Sequence, residues 1–407
     1  MTGTDRPAVG TRLFYLDGEG VLFSEPAQEL HLLNPAATMI WSLLEEGHDA
    51  ASASAALREI TDLDPGRSAE FVALALGEWR KRGWLEGSSP VVPQEVPAPA
   101  PAASAAHNLP PLPRYAPVGE QHYRILDTTF SLRFSGLAQA DMVRPTVEHL
   151  EVRQPAATGI AFDIVEMAGR QIVFRDGEGV ADCTLSGLAP VVKSLVWTTA
   201  VNGHRYFLDI HAGVVGDDAR CVLLPAPPGS GKSTLAAALV HAGFQFFSDE
   251  VALLEEGSLA VRPVPLALCI KQPGIAALAD RFPLLRELRV HDRGDGKKVA
   301  YMPPPAGSLP AGDHARPVAA LVFPRYERDA DTVLLSLPKG EALKRLLDQC
   351  LVVPTRLDAG KVGALVEWIT RVACFSLTYG STEGSIAAIK SVFAAATERA
   401  LAAPDRG

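Results

Sequence analysis

The sequence predicts an α/β core, preceded by a strand-rich segment and a small winged-helix-like N-terminal domain. Three observations predict it. A hydrophobic run at 221–225 enters a small-residue loop and then a helical stretch. A Pro/Ala-rich stretch at 87–114 divides the chain. Short apolar runs alternate with turn residues over 118–210, as half-buried strands do. The 407 residues fit roughly two to three domains of about 100–200 residues each. With 47% hydrophobic and 21% charged residues there is ample material for buried cores.

In the first domain, placed at 11–86, Arg12–Tyr15 and Gly20–Phe23 read as two strands around the turn Asp17-Gly18-Glu19-Gly20. Asn34-Pro35 opens a helix, with Asn34 as N-cap and Pro35 at the first helical position. Met39, Ile40, Leu43 and Leu44 give that helix one apolar face. A second helix is expected over Ala51–Ile60 and a third over Ser68–Arg82, stopped by Gly83. Trp84-Leu85 closes the unit. Residues 87–117 are expected to be a semi-stiff Pro/Ala-rich linker, because proline removes backbone donors and favours extended chain.

Over 118–210 strands are expected at Tyr123–Leu126, Ser131–Phe134, Ala161–Val165, Gln171–Phe174 and Tyr206–Ile210, with a helix over Leu188–Thr199 capped by the residues from Thr184. The run Cys221–Pro225 is the next strand, and Leu235–Val240 lies in the helix that follows it. Between them stands Ala226-Pro227-Pro228-Gly229-Ser230-Gly231-Lys232-Ser233-Thr234. A phosphate chain needs many short donors, and the backbone N–H groups of such a loop, the following helix N-terminus and a lysine supply them. Pro228, Gly229, Ser230, Gly231, Lys232, Ser233 and Thr234 are therefore the candidate nucleotide-binding residues, with the Ser233 hydroxyl suited to Mg²⁺. The pattern expects glycine at Ala226, which resists positive φ.

Gly243–Ser248 reads as a strand that ends in Asp249-Glu250, 17 residues after Lys232. An apolar strand ending in two acids aims carboxylates at a metal from the carboxyl edge of a sheet. Upstream, His211 sits on a strand that turns at Gly216-Asp217-Asp218, so a hairpin would bring it beside the loop. Phosphoryl transfer needs a cradle, charge neutralisation and a base. The loop supplies the first; Lys232 and Mg²⁺ held by Ser233, Asp249 and Glu250 supply the second; Asp249 is the expected base, an assignment that Glu250 could exchange with it. His211 is expected to contact the γ-phosphate or orient the base. Lys271, Arg293 and the Lys297-Lys298 pair are candidates for stabilising developing negative charge, with 289–300 read as a mobile loop that is either a lid or merely solvated.

Two resemblances add to this. Leu32-Leu33-Asn34-Pro35-Ala36-Ala37-Thr38-Met39-Ile40-Trp41, with Arg82-Gly83-Trp84-Leu85, is similar to the PqqD family of peptide chaperones. That resemblance implies binding of the leader of a ribosomally made peptide by strand addition beside a helix. His211, Lys232-Ser233 and Asp249-Glu250 resemble the strand histidine, phosphate loop and acid pair of the HPr kinase/phosphorylase family and its related kinases. It implies an α/β P-loop kinase core of the HPr kinase type over 118–400, with ATP and Mg²⁺ as cofactors. Asp292-Arg293-Gly294 echoes a downstream motif of that family, while Cys269 and Lys271 stand where it carries glutamate and arginine. The missing glutamate argues against phosphorylase activity and against HPr itself as substrate.

The expected function is an ATP-dependent kinase acting on a Ser or Thr hydroxyl of a peptide or small protein recruited by residues 11–86. The alternatives are a small-molecule kinase docked to a partner enzyme, or a nucleotide-gated peptide-binding regulator without catalysis. Net charge of −9 and few basic residues at 11–86 beyond Arg80-Lys81-Arg82 argue against nucleic acid as partner. No run reaches the ~20 apolar residues of a membrane span, the N-terminus lacks a signal-peptide pattern, and a cytoplasmic location is expected. The five cysteines form no Cys-x-x-Cys pair, so neither a zinc site nor a disulfide framework is indicated. A homo-oligomer is possible on the resemblance to HPr kinases, with no interface legible.

Overall fold

The computed structural model describes residues 5–88, 109–153 and 159–402. The chain forms two compact units, one of Met1–Ala98 with Leu337–Asp348 and Pro354–Cys374, the other of Pro99–Ser336 with Gln349–Val353 and Phe375–Gly407.

The first unit opens with an antiparallel meander of β1 (Thr11–Leu16), β2 (Glu19–Ser24) and β3 (Glu29–Leu33). Asp17 and Gly18, both at positive φ (49° and 84°), make the two-residue turn that suits the strand twist. β3 went unrecognised in the sequence because Glu-Leu-His-Leu-Leu alternates only weakly; its backbone pairs with β2 from Gly20↔Leu33 to Ser24↔Glu29. The module is thus a three-stranded sheet followed by three helices, not a hairpin with helices. In α1 (Pro35–Glu45), α2 (Ala50–Ile60) and α3 (Pro65–Lys81), the side chains of Asn34, Asp49 and Asp64 each accept a hydrogen bond from a first-turn backbone N–H. α3 starts earlier than expected because Asp64-Pro65 supplies both cap and first residue. One sheet face packs on these helices through Leu22, Leu33, Ile40, Trp41, Leu57 and Trp79.

The described part of the expected linker is not solvated throughout. Leu109, Leu112 and Tyr115 pack against Val165, Ile172 and Phe174, and Tyr115 Oη donates to Asp163. Apolar side chains spaced between prolines let extended chain lie on a sheet. Residues 89–108 of that expected linker lie outside the described residues.

The second unit starts with a five-stranded sheet, β4 (Gly119–Ile125), β5 (Thr128–Phe134), β6 (Ile160–Met167), β7 (Arg170–Arg175) and β8 (Glu178–Cys183), in that order. α4 (Leu137–Val147) connects the parallel pair β5 and β6, and α5 (Leu188–Asn202) follows β8 after a short turn capped by Thr184. α4 escaped the sequence reading: its N-cap is Gly136, it contains Pro145, and its apolar residues make a poor stripe. β9 (Leu208–Ile210), β10 (Ala212–Gly216), β11 (Cys221–Pro225), α6 (Lys232–His241), β12 (Gln245–Ser248), β13 (Ala252–Leu254), β14 (Val261–Arg262), β15 (Leu268–Lys271), α7 (Gln272–Leu278), β16 (Val290–Asp292), β17 (Lys298–Met302), β18 (Val318–Tyr326), β19 (Val333–Ser336), β20 (Cys350–Val352) and β21 (Ala373–Tyr379) supply three further sheets. Their orders are β12-β10-β11-β18-β21-β19, β14-β13-β9-β20 and β15-β17-β16.

The segment 289–300 is a hairpin rather than a loose loop, since β16 and β17 pair and Arg293 and Lys297 close the turn through their backbones. Of the remaining helices, α8 (Lys339–Leu347) and α9 (Ala359–Arg371) belong to the first unit, against the expectation that 118–400 forms one domain, and α10 (Thr382–Ala402) belongs to the second. The physical reason lies in the second sheet face. Strand alternation turns Val21 and Phe23 away from Leu22, yet both are fully buried, and α9 packs across β1 and β2 on that side. The Gln28 side chain fastens the arrangement, donating to Leu357 O (2.9 Å) and accepting from Leu357 N (2.8 Å).

Candidate functional site: a phosphate loop facing an acid pair

β11 is entirely buried and delivers the loop at one edge of the six-stranded sheet. Gly229 (φ 96°) and Gly231 (φ 90°, the N-cap of α6) adopt the left-handed conformation that glycine alone tolerates well. Ala226 is absent from the positive-φ residues, so alanine at this position carries no backbone penalty. Pro227-Pro228 leads into the tight turn, in which Ser230 N donates to Pro227 O (3.3 Å).

Lys232 is 6% exposed, and its ammonium donates to Ala226 O and to Pro227 O (3.1 Å), folding back over the loop. Burial, with the positive charge of Lys271, lowers its pKa to about 8. The Ser230 hydroxyl oxygen is buried without a hydrogen-bond partner among the described residues. A buried unpaired hydroxyl is costly, and a phosphate oxygen would satisfy it. Thr234 lies where α7 approaches α6, close to Gly274, at which a Cβ would come within 2.7 Å of Thr234 Oγ1.

The acids follow β12, which pairs with β10 on the flank of β11. Asp249 is 3% exposed; its Oδ2 accepts from Cys269 N (2.9 Å) and its carboxylate from the Ser233 hydroxyl. Burial pushes the Asp249 carboxyl above the usual range, against the opposing pull of Lys193. Glu250 behaves oppositely: the Lys193 ammonium, 3.2 Å from Glu250 Oε2, holds it below the usual range despite burial. Two adjacent carboxylates thus differ in proton affinity because burial outweighs Lys193 at Asp249 while Lys193 outweighs burial at Glu250.

His211 sits where the chain leaves β9 for β10, and its backbone N–H donates to Gln349 O (2.8 Å). Because Ala212 pairs with Pro225, the hairpin brings His211 beside the loop. Burial and the charge of Lys232 lower its pKa to about 4, with Glu250 acting in opposition, so its imidazole is neutral at pH 7. Lys271 ends β15 and contributes its charge to both His211 and Lys232. Arg293 donates to the Cys269 sulfur (3.7 Å) and to Asp295 (3.1 Å), and its charge reaches Glu250. Lys297 and Lys298 are instead paired with Asp295 and Asp292 within their own hairpin. The structure therefore gathers His211, Lys232, Ser233, Asp249, Glu250, Lys271 and Arg293, and leaves Lys297 and Lys298 occupied elsewhere.

Lys193 was missed by the sequence reading. It lies on α5 with its side chain 5% exposed, on the same helical face as buried Ala189, Val196 and Ala200. Its ammonium also stands 5.2 Å from the centre of the Tyr301 ring, within cation–π range. The signal was present: a lone lysine on the apolar face of Leu188–Asn202 requires an acidic partner elsewhere in the chain.

Among the described residues no three His, Cys, Asp or Glu side chains converge as a metal cage. Mg²⁺ does not need one, since it keeps several waters and commonly takes one or two carboxylates with substrate phosphates. The hard oxygens of Ser233, Asp249 and Glu250 fit that chemistry. Among the described residues no helix is long and apolar enough to cross a membrane.

Comparison with known proteins places a family on the first unit: residues 19–85 match Coenzyme PQQ synthesis protein D (PqqD). A solved structure described as TbiB1 in complex with the TbiA(beta) leader peptide is similar at 23% identity and a TM-score of 0.20, covering 21% of this chain and 98% of that chain. No curated protein matches the chain.

Proposed function

We propose that this protein is an ATP-dependent kinase of the HPr-kinase-related type, phosphorylating a Ser or Thr hydroxyl on a peptide recruited by its PqqD-like domain. The observation that carries the proposal is the gathering of a glycine-turned phosphate loop, with Lys232 and Ser233, against the Asp249-Glu250 pair and neutral His211.

The triphosphate lies on the backbone N–H groups of the loop and the N-terminus of α6, with Lys232 turning from the loop carbonyls to the outer phosphates. Ser233 and Glu250 would hold Mg²⁺, which supplies neutralising charge at the phosphates. Asp249, raised by burial, is the proton acceptor. The acceptor hydroxyl gives it a proton as the new O–Pγ bond forms and the bond to the bridging oxygen breaks, releasing ADP. Neutral His211 donates a hydrogen bond to a γ-phosphate oxygen, and Lys271 and Arg293 offset the charge that develops there. The Ser233–Asp249 hydrogen bond favours a second assignment, in which Asp249 takes the metal side and Glu250 the proton.

Peptide recruitment rests on the match of residues 19–85 to PqqD. β3 is an outer strand of its sheet, so the edge it presents can pair with an added strand. His31 on β3 stacks edge-on with Trp84 (4.9 Å), and the Arg82 guanidinium stands 5.3 Å from that indole, giving the edge an aromatic and cationic border. Ribosomally made precursor peptides are the proposed substrate class. A regulator that binds nucleotide without transfer is the competing reading, favoured by neutral Cys269, whose thiol burial pushes up. Measuring γ-phosphate transfer from labelled ATP to candidate precursor peptides tests the proposal. Tight ATP binding without any transfer would select the regulator.

A further inference from the structure

A pair of tyrosines flanks the phosphate loop on the side away from the acids. β18 runs parallel to β11, so the two strands end at the same edge of the sheet. β18 ends at Tyr326 and its neighbour β21 ends at Tyr379. The ends are fastened together, since Glu327 N donates to Tyr379 O (3.0 Å), and the two rings meet at 5.7 Å and 65°. Both stand against the cap of α6. A Cβ added at Gly231 would meet Tyr379 Oη at 3.0 Å and Tyr326 Cβ at 3.6 Å. Tyr379 is 5% exposed, whereas Tyr326 is 51% exposed.

The sheet order makes this placement informative. β12, which leads into Asp249-Glu250, lies on one flank of β11, while β18 and β21 lie on the other. A triphosphate whose outer phosphate faces Asp249, Glu250 and His211 sends its nucleoside toward the opposite flank. There the exposed aromatic face belongs to Tyr326. Nucleobases all present a π-face, and stacking on an aromatic side chain is tolerant of which base is offered.

We propose that Tyr326, braced by Tyr379, is the platform on which the nucleobase of the bound triphosphate stacks. This rests on the nucleotide-binding reading of the loop. The closeness to Gly231 explains why the platform stays in register with the phosphates: Tyr379 stands beside the residue whose left-handed turn starts α6. Stacking alone selects an aromatic base without selecting adenine over guanine, so ATP and GTP bind with similar affinity.

The test compares ATP with inorganic triphosphate, by calorimetry with Mg²⁺, for the full chain and for Tyr326→Ala and Tyr326→Phe. Loss of a stacked base weakens binding by about 5- to 150-fold. The expected result is a loss in that range for ATP with Tyr326→Ala, unchanged triphosphate affinity, and near-normal ATP binding with Tyr326→Phe. Unchanged triphosphate binding also shows that the variant is folded. An ATP affinity unaffected by Tyr326→Ala, or an equal loss for ATP and triphosphate, overturns the platform. If the unaltered protein binds neither ligand, the nucleotide-binding reading itself falls, a result separate from the first two.

Discussion

The Lys193 ammonium lies 3.2 Å from Glu250 Oε2, joining a helix of the strand-rich segment to the acid pair that follows β12. The pair is lopsided: the lysine side chain is 5% exposed and the glutamate 40%. Burial opposes the lysine's charge, but Glu250 and Asp249 together outweigh it and hold Lys193 above the usual lysine range. The same charge keeps the two neighbouring carboxylates from repelling each other freely.

Lys193→Met is therefore expected to raise the proton affinity of the acid pair. The acid limb of the rate–pH profile should move up by about 1 unit, the lower end of what a neighbouring charge does. Lys193→Arg should leave the limb in place. A loss of rate that is the same at every pH would show that Lys193 only supports the fold.

Lys232 predicts a proton-coupled binding step. Its pKa of about 8 in the free protein is low because of burial and Lys271. Phosphate charges raise it, so above pH 8 binding takes up a proton and affinity falls as pH rises. Calorimetry at about pH 8.5 in buffers of different ionisation enthalpy measures that uptake; heats independent of buffer would contradict it. In the free protein, unfolding takes up the same proton between about 8 and the ordinary lysine value of 10.5. The contribution of Lys232 to stability therefore rises with pH across that window.

Gln28 predicts how the first unit holds together. Gln28→Ala deletes both hydrogen bonds to the Leu357 backbone, leaving its N–H and C=O to find other partners. A loss of about 1–3 kcal/mol in denaturant unfolding is expected. Residues 5–88 expressed alone should bind an apolar dye, because Val21 and Phe23 lose the cover of α9. A monomeric 5–88 fragment as stable as the whole unit would contradict this.

These features divide by the range of the interactions that create them. The helix caps at Asn34, Asp49 and Asp64 and the glycines at 229 and 231 act within a few residues, so the chain announces them locally. The spacing of His211, Lys232 and Asp249 was legible because one hairpin and one strand–helix–strand passage bring them together. Lys193 meets Glu250 across 57 residues, and nothing in either neighbourhood names the other. The cover over Val21 and Phe23 comes from residues more than 300 positions away, joined at Gln28 and Leu357. β3 and α4 failed for a different reason: tertiary pairing overrode weak local patterns in Glu29–Leu33 and in the Pro145-containing helix.

Asp249→Asn and Glu250→Gln separate the two assignments of the acids. If Asp249 takes the proton, Asp249→Asn lowers the transfer rate by about 10²–10⁴-fold, the usual worth of a general base, while ATP still binds. Glu250→Gln should then act mainly on the Mg²⁺ concentration required. The reverse pattern would assign the base to Glu250.

The most direct measurement is intact-mass spectrometry of candidate precursor peptides incubated with the full chain, ATP and Mg²⁺, each peptide with and without its leader. A leader-dependent gain of one phosphate, absent with Asp249→Asn, is the result expected of a peptide kinase that recruits through its PqqD-like domain. Leader binding and ATP binding with no phosphate gained by any peptide would contradict it.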